Sequence, residues 1–283
     1  MRRYALNSAM PVLLRPDGTV QVGWDPRRAV LVHPPAGLSV AALSRLLRSM
    51  QDAATADELV TRAVDLGLPT ETAPDTVAEL LDALVAAGVV TRTRLSLRAV
   101  SVRVHGRGPL SDLLAGSLRC SGTRVTRSNR RHAVVTTDRT DLVVLADALV
   151  IDPWVLRDLH TARVPHLPVR VRDGTGLVGP LVIPGVTSCL ACADLHRSDR
   201  DAAWPALAAQ LRHAVTAADR ATVLGTVALA LTQVDLVVRA MRDDSDTRDV
   251  PPIPITLDTT VEFDVGTGSV VTRRWSRHPA CAC

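Results

Sequence analysis

The stretch AVSVRVHGRGPLSDLLAGSLRCSGTRVTRS (residues 99–128) decides the fold class, because it has the order strand, glycine turn, helix, strand. Gly106 and Gly108 lie where a nucleotide-binding βαβ unit places its turn glycines. Ser111 stands where a third glycine would fall, and Arg127 ends the second strand, where an acid would hold a ribose hydroxyl. The pattern predicts a βαβ unit with a degenerate turn that does not bind ATP, and a working nucleotide site is the alternative.

Strands and helices continue to alternate after this unit. Residues 141–147 (DLVVLAD) form an almost continuous apolar run, which is typical of a buried parallel strand. Helices are predicted over residues 153–163 and 220–242, and the second is apolar on more than one face, like a helix packed on a sheet. We therefore predict an α/β, Rossmann-like domain over residues 94–283.

The first 93 residues have a different pattern. Strands are predicted over 11–15, 18–24 and 28–33, with a turn at Pro16-Asp17-Gly18 between the first two. Three helices follow, and the second begins with Thr55 and Glu58 at the spacing of a capping box. Three strands and three helices of this size predict a winged-helix-type domain over residues 1–93.

This first domain is compatible with three functions: DNA binding, a structural cap and peptide binding. The third helix (about 72–87) would read DNA, but it carries Asp75, Glu79 and Asp82 and no arginine. Phosphate repels an acidic helix, so we do not expect nucleic-acid binding. A peptide added as a strand at the sheet edge is the preferred interpretation, with Leu31 on the inward face of the last strand. The predicted peptide-binding residues lie on the last strand and on the apolar stripe of the third helix: Arg28, Ala29, Val30, Leu31, Val32, Val77, Leu80, Leu81 and Leu84.

The amino-acid composition argues against several classes of function. All 33 basic residues among the 283 are arginine, so no mechanism here uses a catalytic lysine. The net charge of +4 is spread along the chain, which argues weakly for nucleic acid. No signal peptide is visible, and the longest apolar stretch (221–234) is too short to span a bilayer. We expect a cytoplasmic protein without a membrane segment and without disulfides.

Four of the five cysteines form two close pairs. Cys189 and Cys192 make C-x-x-C, and Cys281 and Cys283 make C-x-C at the end of the chain. Two chelating thiolate pairs predict a closed, structural Cys₄ zinc site. A thioredoxin-like pair lacks its strand context, and a zinc deaminase would need H-x-E, so four unrelated thiols remain as the alternative. Cys120 is expected to be a small buried hydrophobe.

Residues 164–205, VPHLPVRVRDGTGLVGPLVIPGVTSCLACADLHRSDRDAAWP, carry a family resemblance. This stretch resembles the E1-like (ThiF-related) proteins of thiazole/oxazole-modified microcin biosynthesis, which are partner subunits of cyclodehydratases. The matching residues are Pro168, Arg170, Arg172, Asp173, Gly179, Pro180, Pro184, Gly185, Cys189, Cys192, Asp194, Leu195, His196, Arg197, Asp199, Arg200, Asp201, Trp204 and Pro205. Relatives commonly close the zinc site with a second C-x-x-C, whereas this chain has C-x-C.

The resemblance implies a division of labour between two proteins. A YcaO-type partner uses ATP to form azolines on a ribosomal precursor peptide, and the E1-like subunit binds the leader of that precursor through a winged-helix module, the RiPP recognition element. Because the chain lacks a lysine and a ribose acid, it resembles a member without adenylation chemistry, and no catalytic residue is assigned. The alternatives are an active enzyme that adenylates a peptide carboxylate and a DNA-binding regulator. ThiF relatives often dimerise, so the resemblance also implies a homodimer.

Overall fold

A computed structural model of the chain describes residues 2–94, 99–129, 140–212, 214, 217–242 and 253–283. The chain divides into two compact units, Met1–Leu97 (unit 1) and Arg98–Cys283 (unit 2). Each unit has its own hydrophobic core, and each is described by itself below.

Unit 1 contains six strands and three helices among its described residues. In chain order these are β1 (Arg2–Leu6), β2 (Val12–Leu14), β3 (Val20–Val22), β4 (Val30–Val32), α1 (Val40–Ser49), β5 (Ala54–Thr55), α2 (Ala56–Asp65), α3 (Ala73–Ala86) and β6 (Val90–Arg94).

Local sequence signals account for the helices of unit 1. The predicted capping box is confirmed, since the Glu58 N–H donates to Thr55 Oγ1 at 3.2 Å and the Thr55 N–H donates to Glu58 Oε2 at 3.0 Å. Ser39 caps α1 in the same manner, by accepting from the Ala42 N–H at 3.1 Å. These caps satisfy backbone donors that would otherwise lack partners, so both helices begin where the sequence indicates.

The strands of unit 1 form two three-stranded sheets. One is the antiparallel meander β2-β3-β4, and the other has the order β5-β1-β6. The second sheet was not expected, because β1 pairs with β6 across more than eighty residues of chain and neither strand is bounded by a hairpin turn. In the meander, β4 has β3 on one side only, so it is an edge strand.

Unit 2 contains seven strands and five helices among its described residues. In chain order these are β7 (Ser101–His105), α4 (Pro109–Arg119), β8 (Arg124–Ser128), β9 (Leu142–Ala146), α5 (Pro153–Thr161), β10 (His166–Arg172), β11 (Thr175–Val178), α6 (Leu190–Arg200), α7 (Trp204–Leu211), α8 (Arg220–Arg242), β12 (Thr259–Asp264) and β13 (Ser269–Arg274).

All seven strands of unit 2 lie in one mixed sheet with the order β13-β12-β11-β10-β9-β7-β8. The strands β8, β7, β9 and β10 are parallel, and β10 to β13 are antiparallel. The predicted buried strand is β9, whose five residues are all buried between two parallel neighbours. The α/β class is therefore confirmed.

Helices cover both faces of this sheet. One core lies under α4 and α8, and a second core on the other face contains residues of α5 together with Cys189, Leu190 and Cys192 at the start of α6. Alternation along β10 separates the two faces, because Val169 and Val171 join the first core while His166 and Arg170 point to the other side.

The long helix α8 lies close to the sheet. A Cβ added at Gly176 of β11 would come within 2.0 Å of Thr226 Oγ1 on α8, so glycine is needed for this approach. The helix α8 is long and apolar enough to cross a membrane, but half of the residues in its most apolar stretch are buried inside unit 2. We interpret it as a core helix.

Candidate functional site

The four paired cysteines of unit 2 come together in one cluster. Cys189 is the N-cap of α6 and Cys192 lies in its first turn, while Cys281 and Cys283 lie in the segment after β13. The Sγ–Sγ distances are 3.7 Å from Cys189 to Cys192, 3.5 Å from Cys189 to Cys281 and 3.4 Å from Cys192 to Cys283. All four sulfur atoms lie within 4.8 Å of one another, so the cluster can hold a metal ion.

The spacing of these sulfurs suits a tetrahedral ion. A Zn–S bond of about 2.3 Å places ligand sulfurs about 3.8 Å apart in a tetrahedron, close to the observed distances. A disulfide would need a sulfur separation of about 2.05 Å, and all four thiols are free. Cys189 and Cys192 are buried and the terminal pair is half-buried, so the donor set is closed to substrate.

The thiols of the cluster differ in acidity. Burial raises the pKa of Cys189, and it also raises the pKa of Cys283. At Cys192 burial opposes ionisation, but hydrogen bonds from the backbone of His278 and Cys189 and from the neighbouring thiols outweigh it and lower the pKa to about 7. Of Cys189, Cys192 and Cys283, Cys192 therefore ionises first.

Hydrogen bonds hold the terminal segment against α6. The His278 Nε2 lies 2.8 Å from Asp199 Oδ2, and the His196 Nε2 lies 3.1 Å from the Ser276 carbonyl oxygen. The ligand atoms of His196, Asp199 and His278 are also close enough to hold a metal ion. However, the Ala280 N–H donates to His278 Nδ1 at 3.1 Å, so this ring already uses both nitrogens. We interpret the set as a clamp for the tail.

Two of the charged residues that follow C-x-x-C, Asp194 and Arg197, form an ion pair. Arg197 donates to Asp194 Oδ1 at 2.8 Å, and the Trp204 Nε1–H donates to the same oxygen at 3.3 Å. The Arg197 guanidinium also lies 5.1 Å from the centre of the Trp275 ring. Behind them Arg170 is buried, which lowers its pKa to about 10, and it donates to the Leu149 carbonyl at 3.1 Å. These contacts tie α6, α7 and the sheet together.

The glycine turn of unit 2 contacts Asp147, which follows β9. The Leu110 N–H donates to Asp147 Oδ1 at 3.0 Å and the Ser111 N–H donates to Oδ2 at 3.2 Å. The Gly108 N–H donates to Ser111 Oγ at 3.0 Å. A cavity of about 300 Å³ lies beside this turn, lined in part by Gly106, Gly108 and Asp147. Sequence patterns could not identify Asp147, because it meets the turn from a different strand.

Arg127, which replaces the expected ribose acid at the end of β8, forms an ion pair with Asp112 of α4. Cys120 is exposed at the C-terminus of α4, where its thiol donates to the Gly116 carbonyl at 3.6 Å. The expectation that Cys120 is buried is therefore wrong: it falls on the solvent side of a helix whose core face ends at Leu118.

The edge strand of unit 1 differs in detail from its predicted form. Arg28 and Ala29 are not in the strand, because their N–H groups both donate to the Asp25 carbonyl in a turn. Of the strand itself, Val32 is buried and Leu31 is 50% exposed, so Leu31 does not face the core. The register explains this, since Leu31 pairs with Gln21 while Val32 pairs with the buried Val20.

The apolar stripe of α3 is largely used by the core of unit 1. Val77, Leu81 and Leu84 are buried there, and Leu80 is partly buried against the same cluster. The helix packs on α2 and β6. The apolar side chains along α3 are therefore used inside unit 1, and among the predicted peptide-binding residues Arg28 and Leu31 are exposed.

Comparison with known proteins shows which solved structures share this fold. No protein-family model matches the chain, and no curated protein matches it significantly. Among solved structures, a heterocyclase in complex with substrate and cofactor matches the whole chain with a TM-score of 0.67 and 14% identity. The heterocyclase TruD matches the whole chain with the same TM-score of 0.67 and 16% identity. At these identities the likeness shows a shared fold.

A second kind of neighbour is matched over almost its whole length. The MccB protein of E. coli, in a structure with ATP, matches the whole chain with a TM-score of 0.56 and 13% identity, and 99% of its own length is covered. In contrast, the chain spans only about two fifths of the two heterocyclases, covering 39% and 42% of them. The mixed sheet of unit 2 is thus part of a fold shared by MccB and TruD.

Proposed function

We propose that this chain is the leader-peptide-binding partner subunit of a YcaO-type cyclodehydratase, and that it presents a ribosomal precursor peptide for azoline formation. The observation that carries the proposal is the likeness over the whole chain, through both units, to two heterocyclases and to MccB. The residues 164–205 point to the same family independently, through the motifs around C-x-x-C.

Unit 1 would be the peptide-binding module, a winged-helix-type RiPP recognition element. Its strand β4 has an open edge, and no further backbone hydrogen bond to residues 30–32 occurs outside the β3–β4 ladder in the part of the chain that the structure describes. An extended peptide can pair with such an edge through its own backbone. The exposed Leu31 side chain would then contact the neighbouring side chains of the added strand.

Unit 2 would be a scaffold whose Cys₄ cluster holds a structural zinc ion. The donors are four thiols at tetrahedral spacing, which is the ligand set that zinc prefers in closed structural sites. The ion would cross-link the start of α6 to the terminal segment, and Cys189, Cys192, Cys281 and Cys283 would be its ligands. It would contribute folding energy and no step of the reaction.

The catalytic part would come from a partner of the YcaO type. About three fifths of each heterocyclase has no counterpart in this chain, because the chain covers 39% and 42% of them. We propose that the partner supplies ATP-dependent activation of the backbone amide, whereas this chain binds the leader. A short peptide rich in Cys, Ser and Thr is expected to be encoded near its gene, together with the partner.

The test is fluorescence anisotropy with the labelled N-terminal segment of that short peptide and the full chain. Leu31→Asp should weaken binding at least about tenfold, because the charge would be placed beside the added strand and lose apolar contact. The matched control is Leu14→Asp, since Leu14 is 54% exposed on the opposite edge strand β2 and should leave binding unchanged.

Both variants should remain folded, because both side chains are exposed, whereas Val32→Asp should unfold unit 1 by burying a charge. Equal loss of binding in Leu14→Asp and Leu31→Asp would contradict the assignment of β4 as the docking strand. Unchanged binding in the folded Leu31→Asp variant would contradict it as well.

A further inference from the structure

The N-terminus of α4 already has an anion bound to it, and that anion belongs to the chain itself. The positive end of a helix attracts negative groups, and its first N–H groups have no partner within the helix. Here the Leu110 and Ser111 N–H groups donate to the two carboxylate oxygens of Asp147, at 3.0 and 3.2 Å. Asp147 therefore takes the place that a phosphate occupies in a nucleotide-binding unit of this type.

Two further backbone donors of the turn are also used. The Gly108 N–H donates to Ser111 Oγ at 3.0 Å, and the Gly106 N–H donates to the Ser128 carbonyl at 2.9 Å. Pro109 has no N–H to offer. The N–H groups of Gly106, Gly108, Leu110 and Ser111 thus all have acceptors already. A phosphate could bind any of these N–H groups only by breaking the hydrogen bond that the group now makes.

The glycines of the turn serve this internal arrangement. A Cβ added at Gly108 would lie 2.7 Å from Asp147 Cγ and Oδ1, and one added at Gly106 would lie 2.4 Å from the Ala146 carbonyl oxygen. Both contacts are too close for any other residue. Asp147 itself has φ of 69°, a left-handed conformation that aspartate tolerates better than most residues.

We propose that Asp147 determines the specificity of the adjacent cavity of about 300 Å³ by excluding phosphate-bearing ligands. Its carboxylate fills the anion position, occupies the Leu110 and Ser111 donors and repels a second negative charge. The cavity therefore admits ligands without a phosphate group. This inference concerns unit 2 only, and it holds or fails independently of peptide binding by unit 1.

The test is calorimetric titration of the full chain with inorganic pyrophosphate. The variant is Asp147→Gly, because glycine keeps the positive φ without strain while it vacates the anion position. The matched control is Asp152→Gly, since Asp152 lines the same cavity and caps α5 through the Trp154 N–H at 3.0 Å. This control removes an equal charge from the cavity and leaves the α4 donors occupied.

Asp147→Gly should bind pyrophosphate at least about tenfold more tightly than both the wild-type chain and Asp152→Gly, because the Leu110 and Ser111 N–H groups become free to donate to a charged group. Equal gains in the two variants would overturn the proposal, since general electrostatics would then explain them. A folded Asp147→Gly variant with no gain would overturn it too.

A measurement on the wild-type chain keeps the proposal testable if Asp147→Gly does not fold. The amide resonances of Leu110 and Ser111 should stay unchanged as pyrophosphate is added, because their protons are held by Asp147. A saturable shift of these two resonances would show that the donors are available to phosphate, and the proposal would be wrong.

Discussion

His166 should make the chain sensitive to acid. This ring lies on β10, fully buried, where its Nδ1 is 3.1 Å from the Val164 carbonyl and its Nε2 has no hydrogen-bond partner among the described residues. Burial is the main cause that lowers its pKa from 6.5 to about 4; the hydrogen bond to Val164 opposes this change, and the neighbouring His160 ring adds to it. The folded chain therefore holds His166 neutral where the unfolded chain protonates it.

The difference between the pKa of His166 in the unfolded chain and in the folded chain sets the direction and the size of the change in stability with pH. The stability that His166 contributes is fully present above pH 6.5 and is lost as the pH falls toward the folded-state pKa of about 4. One pKa unit corresponds to about 1.4 kcal/mol, so the loss of unfolding free energy should reach about 2 kcal/mol at pH 5 and about 3 kcal/mol near pH 4.

The assay is urea unfolding of the wild-type chain and of His166→Phe between pH 7.5 and pH 4.5. Phenylalanine fills the same space in an apolar core but cannot be protonated, so it should lose the His166 part of the pH dependence. Acid also removes metal from thiolates, but this acts on both chains alike. If the difference in unfolding free energy between the two chains does not change with pH, the burial argument for His166 is refuted.

Two other predictions follow from unit 2. Purified chain should contain one zinc per molecule by elemental analysis, and Cys192→Ser should lose it while the exposed Cys120→Ser keeps it; full zinc content in Cys192→Ser would contradict the Cys₄ assignment. Gly176→Ala should lower the unfolding free energy by about 1–3 kcal/mol through overpacking against α8. Adding Thr226→Ala should restore part of the loss in a double-mutant cycle, because it removes the oxygen that the new Cβ would meet at 2.0 Å; purely additive effects would refute that contact.

Local signals in the sequence predicted the parts of this fold that depend on neighbouring residues. The capping box at Thr55 and Glu58 and the buried strand β9 are both present. The convergence of the two cysteine pairs was also predicted, since each pair is itself a short chelating unit and only their meeting is long-range. For the capping box, and for each cysteine pair taken by itself, the physical cause lies within a few residues of chain.

Features that depend on distant partners were missed. The strand β1 is defined by β6, and neither has a turn to mark it. The side of β4 that faces the core depends on its register with β3, and a shift by one residue exchanges Leu31 for Val32. Asp147 contacts the glycine turn from another strand. The sequence of the turn therefore indicates a degenerate nucleotide site, but it does not show that a carboxylate of the chain itself occupies the anion position.

The proposed function is that this chain enables a YcaO-type partner to modify a precursor peptide. The direct measurement is mass spectrometry of the precursor after incubation with ATP and the YcaO-type partner, with this chain present or absent. We expect loss of one water for each azoline formed when the wild-type chain is present, and little loss without it or with Leu31→Asp. Full water loss in the absence of this chain, or undiminished loss with Leu31→Asp, would contradict the proposed function.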